Sequence, residues 1–159
     1  MGLRIGQGFD AHRFSVEDGR ILRLALLEWP DEPALEGHSD GDVIVHALVD
    51  ALTSAAGWGD IGTLFGTGRA ETAGAASSIF LNQVAARLSQ AGFVVEHATV
   101  QLIGQRPRLA ARRGEAERAL TAALGAPVSL SATTTDGMGF TGRGEGLAAI
   151  ASCLLRDGQ

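Results

Sequence analysis

The chain has 159 residues, 45% of them hydrophobic and only 5% aromatic, with 22 glycines, no tyrosine and a formal net charge of −5. That profile predicts one globular domain over residues 1–159 with a sizeable core, and it excludes a disordered or repetitive chain. The acidic balance argues against nucleic acid and anionic membrane as partners, so a phosphate-bearing ligand would need a local basic patch.

"MGLRIGQG" lacks a charged segment followed by an apolar one, and no apolar run reaches membrane-span length. The expectation is a soluble, cytoplasmic protein without a signal peptide. In chain order, Leu3, Ile5 and Phe9 mark a first strand that runs into "DAHRF". A second strand is expected at Ile21 to Leu27, then loop chemistry through "EWPDEPALEGHSDGD". "DVIVHALVDALTSAAG" reads as a helix ending before Gly57, with Asp40 as its candidate N-cap. "SSIFLNQVAARLSQAG" is a second amphipathic helix, with Ile79, Val84, Ala85 and Leu88 on one side. "FVVEHATVQLIG" follows as a strand, "LAARRGEAERALTAALG" as a third helix, and "VSLSATTT" as a strand. A glycine-rich loop, "DGMGFTGRGEG", leads into a last strand, "LAAIASCLL". Its Cys153 is the only cysteine, which fits a buried thiol in a reducing compartment. Interleaved strands and helices predict an α+β fold: one mixed sheet with amphipathic helices packed on it.

Residues two apart on a strand share a face, so Asp10 and His12 project side by side. Such a pair can bind a metal, transfer protons, or simply hydrogen-bond at the surface. On the following helix, Asp42, His46 and Asp50 form a stripe at i, i+4 and i+8, opposite Ile44, Leu48, Ala51 and Leu52. Adding His46 gives two imidazoles and a carboxylate, the ligand number of a catalytic zinc with one open position. One of the neighbouring aspartates is expected to orient the second ring nitrogen of His46. His38 and Ser39 precede a helix N-terminus, a place suited to an anion, although from the residues alone loop and capping duty is the favoured reading. Arg106, Arg108, Arg112 and Arg113 form the one basic cluster, with Arg113 and Glu117 at ordinary helical pair spacing. "GDIG" by itself reads as a turn, and "TTTD" as a β-run entering an Asp-Gly turn.

"RIGQGFDAHRF", "GHSDGDVIVHALVDAL", "GDIGTLF" and "SATTTDGMGFTGRGEG" occur in this order across nearly the whole chain. Together they resemble the 2-C-methyl-D-erythritol 2,4-cyclodiphosphate synthases of the non-mevalonate isoprenoid pathway. The resemblance implies a lyase that closes 4-diphosphocytidyl-2-C-methyl-D-erythritol 2-phosphate into a cyclic diphosphate and releases CMP. It implies zinc on Asp10, His12 and His46, and a second divalent ion, Mg2+ or Mn2+, on Asp136 with the substrate diphosphate. His38 and Thr134 take the place of transition-state stabilisers. Substrate contacts are implied for Asp10, Ala11 and His12, for His38 and Ser39, and for Asp60, Ile61 and Gly62. The loop Gly104, Gln105, Arg106, Pro107, Arg108, Leu109 and Ala110 would cradle cytosine and diphosphate. Ala132, Thr133, Thr134, Thr135 and Asp136 would hold the diphosphate, while Phe140 and Arg143, with Glu145 nearby, would line the substrate region or a central cavity. The resemblance further implies a homotrimer around a threefold axis, active sites between subunits, and an isoprenoid diphosphate as an occupant of that cavity.

The chain departs from the family pattern at "GTGRAETAGAASS", where aspartates and a lysine are missing, so Gly66 to Arg69 are poor candidates for side-chain contacts. Two readings compete with the synthase: a zinc-dependent hydrolase and a non-catalytic diphosphate-binding homologue. The first lacks a dedicated base motif such as His-Glu-x-x-His.

Overall fold

The computed structural model describes residues 2–65 and 76–158; the expectation for Gly66 to Arg69 lies outside the described residues. Strand β1 (Leu3–Arg13) is followed by a small hairpin, β2 (Leu22–Leu24) and β3 (Leu27–Trp29). Helices α1 (Val43–Ala56), α2 (Ile61–Phe65) and α3 (Ser77–Gln90) come next. Then follow β4 (Phe93–Ile103), α4 (Arg113–Leu124), β5 (Val128–Thr133), the single turn α5 (Gly139–Gly142) and β6 (Gly146–Asp157). The main sheet has the order β1-β6-β4-β5, antiparallel except for the parallel pair β4 and β5 that α4 connects. This is a mixed α+β architecture.

Alternation decides which face of the sheet is covered. Gly6 and Gly8 of β1, Ala149, Ala151, Cys153 and Leu155 of β6, and Ala98, Val100 and Leu102 of β4 are buried beneath the helices. The residues between them point the other way, and Leu3, Ile5, Phe9 and Ile150 stand exposed on an uncovered face. Helix α1 lies across β1 and β6 with α3 on its outer side, so all of it but Asp50 and Ser54 is buried. An apolar surface all round is what a helix in the middle layer requires. Cys153 sits under it, its Sγ donating to Ala51 O at 3.3 Å, and burial pushes the thiol up to about 11.

Local chemistry corrects several sequence expectations. The strand expected over Ile21 to Leu27 breaks at Ala25 and Leu26, whose φ values of 53° and 68° make the two-residue turn of the hairpin. Left-handed backbone is costly without glycine, and a buried carboxylate offsets that cost: Asp42 accepts from Ala25 N at 3.0 Å and Leu26 N at 2.9 Å. Asp42, not Asp40, is also the N-cap of α1, accepting from Val45 N at 3.2 Å. In α3 the buried stripe is Phe80, Leu81, Val84 and Leu88, while Ile79 is exposed. The third helix starts later than expected, because Leu109–Ala111 forms a separate 3-10 turn before α4. The glycine-rich loop contains α5, anchored by the buried Thr141, whose hydroxyl is 2.9 Å from that of Thr135.

Candidate active site

The site begins with the two glycines. A Cβ at Gly8 would lie 2.1 Å from Ala47 O, and one at Gly6 would lie 1.9 Å from Ala51 O. Only bare backbone lets α1 approach β1 this closely. Asp10 and His12 continue the same face of β1, and His46, in the second turn of α1, faces them. His12 Nε2 is 2.7 Å from Asp10 Oδ2, His46 Nδ1 is 3.1 Å from the same oxygen, and the two nitrogens are 3.2 Å apart. A tetrahedral ion with ligand bonds near ~2.0 Å spaces its ligand atoms roughly 3.3 Å apart, so this triangle is close to ligand geometry. One carboxylate oxygen and two imidazole nitrogens are also the donor set that suits zinc. The residues present therefore fit a resident metal ion.

The expected stripe along α1 divides. Asp42 turns into the hairpin, Asp50 accepts from Ile61 N at 2.7 Å at the start of α2, and only His46 joins the cluster. Among the described residues no aspartate touches the second ring nitrogen of His46, contrary to expectation; the hydroxyls of Ser39 and Ser77 do, each at 3.0 Å. Ser77 is buried at the first position of α3, and Asp40 accepts from both its backbone N, at 2.8 Å, and its hydroxyl. Burial pushes the Asp10 carboxyl up, but hydrogen bonds from His12 and His46 overcome it and hold the group down at about 2. For His46, burial disfavours the charged ring, yet the Asp10 carboxylate outweighs that and raises the imidazole above its ordinary value. Burial also raises the carboxyls of Asp42 and Asp50.

The loop carrying His38 and Ser39 is fastened beside β1. Ser15 N donates to Ala34 O, Glu36 N to Arg13 O, and the Arg20 guanidinium to the carbonyls of Gly37 and Ser39 at 3.2 and 3.1 Å. Two grooves open from this end of β1 and share Ala11, His12 and Arg13. One, of about 560 Å³, includes Arg20 and the exposed His38; the other, of about 470 Å³, includes Phe14, Phe140 and Glu145. Arg143 pairs with Glu145 at the mouth of the second. Ser77 and Arg20 were missed by sequence reasoning. Ser77 carried a faint signal as a polar residue opening an amphipathic helix, whereas the acceptors of Arg20 lie 17 and 19 positions away.

The remaining expected residues form separate groups. Asp60 is exposed before α2, its carboxyl lowered by the hydrogen bond from Thr63 N; Ile61 and Gly62 are the first residues of that helix. Gly104 N donates to Thr133 O at 3.0 Å, joining the segment 104–110 to the end of β5. Gln105 donates to Gly142 O, Arg106 pairs with Glu32 at 2.6 Å, Pro107 and Leu109 are buried, and Arg108 and Ala110 are exposed. Arg112 lies over the Trp29 ring and pairs with Glu115. The expected Arg113–Glu117 pair is replaced by Leu130 N donating to Glu117 at 2.8 Å. Ala132, Thr133 and Thr134 are exposed at the end of β5, Thr135 is half-buried, and Asp136, with φ 51°, accepts from the Thr134 hydroxyl at 3.3 Å. β6 and β4 stand between β5 and β1, three strand spacings of ~4.8 Å or roughly 14 Å in all. Within one chain the Asp10 cluster and the Thr133–Asp136 group are therefore not one site.

The sequence matches the YgbB family over residues 3–156. The chain belongs to the YgbB family. It is 54% identical over 157 residues to a 2-C-methyl-D-erythritol 2,4-cyclodiphosphate synthase of Cutibacterium acnes, covering 98% of this chain and 92% of that protein. The synthase of the same name from Acidothermus cellulolyticus is 53% identical over 152 residues, 96% of this chain and 93% of its own length. Among solved structures, a 2C-methyl-D-erythritol-2,4-cyclodiphosphate synthase in its CDP-bound form superposes with a TM-score of 0.85 at 35% identity, over 96% of this chain and all of the other. For the YgbB fold seen here, the sheet order and the glycine-floored contact of α1 with β1 are what bring the three donor atoms together.

Proposed function

We propose that this chain is a metal-dependent phosphorus–oxygen lyase of isoprenoid biosynthesis. It converts 4-diphosphocytidyl-2-C-methyl-D-erythritol 2-phosphate to 2-C-methyl-D-erythritol 2,4-cyclodiphosphate and releases CMP. The observation that carries this reading is the convergence of Asp10, His12 and His46 in a chain of this family. Those three residues would hold zinc, and Asp136, with oxygens of the substrate diphosphate, would hold Mg2+ or Mn2+. The ions supply positive charge that lets two phosphates lie close together.

In the reaction an oxygen of the 2-phosphate forms a bond to the β-phosphorus. The bond from that phosphorus to the CMP oxygen breaks, and CMP leaves with the electron pair. The nucleophile is already ionised, so positioning and charge stabilisation are what the protein must provide. His38, on the wall of the larger groove, and Thr134, beside Asp136, would donate to charge developing on the transferred phosphoryl group. Ser39, Asp60, Ile61 and Gly62 would hold the methylerythritol part, and the segment 104–110 the cytidine part. Phe140 and Arg143 would complete the wall beside Glu145.

This reading includes a homotrimer, in which one subunit's Asp10 cluster meets the Thr133–Asp136 edge of a neighbour. The uncovered sheet face and the separation of the two groups within one chain support it. An isoprenoid diphosphate would then be an occupant of the enclosed central cavity. The reading also includes a cytoplasmic location and one domain over residues 1–159; no helix among the described residues is long and apolar enough to cross a membrane.

The test follows CMP release and the ³¹P spectrum of the diphosphocytidyl substrate, with zinc and magnesium present. Wild type is expected to give CMP in step with a cyclic diphosphate, and His46→Ala neither. Zinc binding by the wild type without CMP release overturns the synthase reading in favour of a diphosphate-binding homologue.

A further inference from the structure

The second nitrogen of His46 meets two hydroxyls, and they are not equivalent. Ser77 has one hydroxyl hydrogen and gives it to the Asp40 carboxylate, an acceptor-only partner. Its oxygen is then left to accept from His46 Nε2–H at 3.0 Å. Asp40 is itself fixed, accepting from Asp42 N at 3.1 Å and Ser77 N at 2.8 Å, so it ties the entry of α1 to the first residue of α3. Ser39 also lies 3.0 Å from Nε2, but it sits on the groove-side loop and has no such carboxylate behind it among the described residues.

We propose that Asp40 and Ser77 are positioning residues for the metal centre: Asp40 fixes Ser77, Ser77 accepts from His46 Nε2–H, and the ring is thereby held with Nδ1 on the side of Asp10 and His12. Ser39 is thereby free to turn its hydroxyl to substrate without releasing the ring. The inference rests on the metal-centre reading above and deepens it. Partners that fix tautomer and ring orientation in this way commonly contribute tenfold or more to metal affinity.

The experiment measures zinc affinity by chelator competition on the full chain, for wild type, Ser77→Ala, Ser77→Thr and Asp40→Asn. Histidine ¹⁵N–¹H spectra of the zinc-bound proteins are recorded alongside, to read how fast the Nε2 hydrogen of His46 exchanges with solvent. Ser77→Ala is expected to weaken zinc by about 10- to 100-fold and to speed exchange of the His46 Nε2 hydrogen with solvent. Ser77→Thr, which keeps the hydroxyl, is expected to stay within about threefold of wild type, and Asp40→Asn to fall between the two. The wild-type spectrum tests the relay even where a variant fails to fold, since a His46 Nε2–H that exchanges as fast as a solvent-exposed imidazole overturns it. Zinc affinity within about threefold of wild type for Ser77→Ala, with the exchange of the His46 Nε2 hydrogen unchanged, overturns this inference alone. Absence of zinc binding by the wild-type chain overturns the metal-centre reading together with it.

Discussion

Asp10 shows how neighbours outweigh burial. Its carboxyl is held at about 2 against an ordinary 3.8, so the folded state binds its proton less readily than the unfolded chain does. The metal-free protein therefore gains stability from this group above about pH 4 and loses it as pH falls toward about 2, on the order of 2 kcal/mol. Denaturant midpoints measured across that range should drop for wild type and change less for Asp10→Asn. The role of Asp10 and His12 as a pair was legible, because strand alternation alone puts them on one face. The capping residue of α1 was not. Asp40 and Asp42 both precede the helix, and the two turn amides that claim Asp42 lie 16 and 17 residues upstream. No local pattern distinguishes a carboxylate that caps from one that also closes a hairpin.

At the scale of elements, the closeness of α1 to β1 sets the metal geometry. Gly8→Ala would place a methyl 2.1 Å from Ala47 O and 2.6 Å from Ala51 N, so the helix must move outward. The expected cost is about 3 kcal/mol, at the upper end of overpacking penalties, read as a lower urea midpoint. Zinc affinity should fall with it, because His46 rides on the displaced helix. The long strands and α1 were legible from periodicity and from their glycine stops. The hairpin was not, since "LALL" contains no turn residue and its left-handed backbone depends on Asp42. The start of α4 was misplaced for a similar reason: "LAARRGEAERAL" has continuous helical propensity, and the break at Arg112 comes from tertiary anchoring. That side chain stacks on Trp29 and donates to Glu28 O.

For the whole molecule, the uncovered sheet face is the feature that a lone chain leaves unexplained. Ile5 is 80% exposed and Leu3 68%, in a strand whose other face buries Gly6 and Gly8 beneath α1. Contiguous apolar residues of this kind mark an association surface. Ile5→Asp should change the fold stability of the isolated chain by no more than about 0.5 kcal/mol. In the proposed trimer it should dissociate the assembly, seen as a fall in mass by light scattering, with CMP release lost in parallel. A trimer that survives Ile5→Asp would place the subunit contact elsewhere. Sequence alone showed a strand with apolar residues on one face and glycines on the other, but not which face would meet its own chain. The glycines, being the smaller, took the helix.

The thiol of Cys153 lies under that same helix, bonded to Ala51 O on the layer that carries His46. A group held in its neutral form and sealed from solvent reacts with alkylating reagents only when its cover lifts. Its rate of labelling is therefore a clock for the parting of α1 from the sheet. Because the same parting would separate His46 from Asp10 and His12, any ion that clasps the three together should slow that clock.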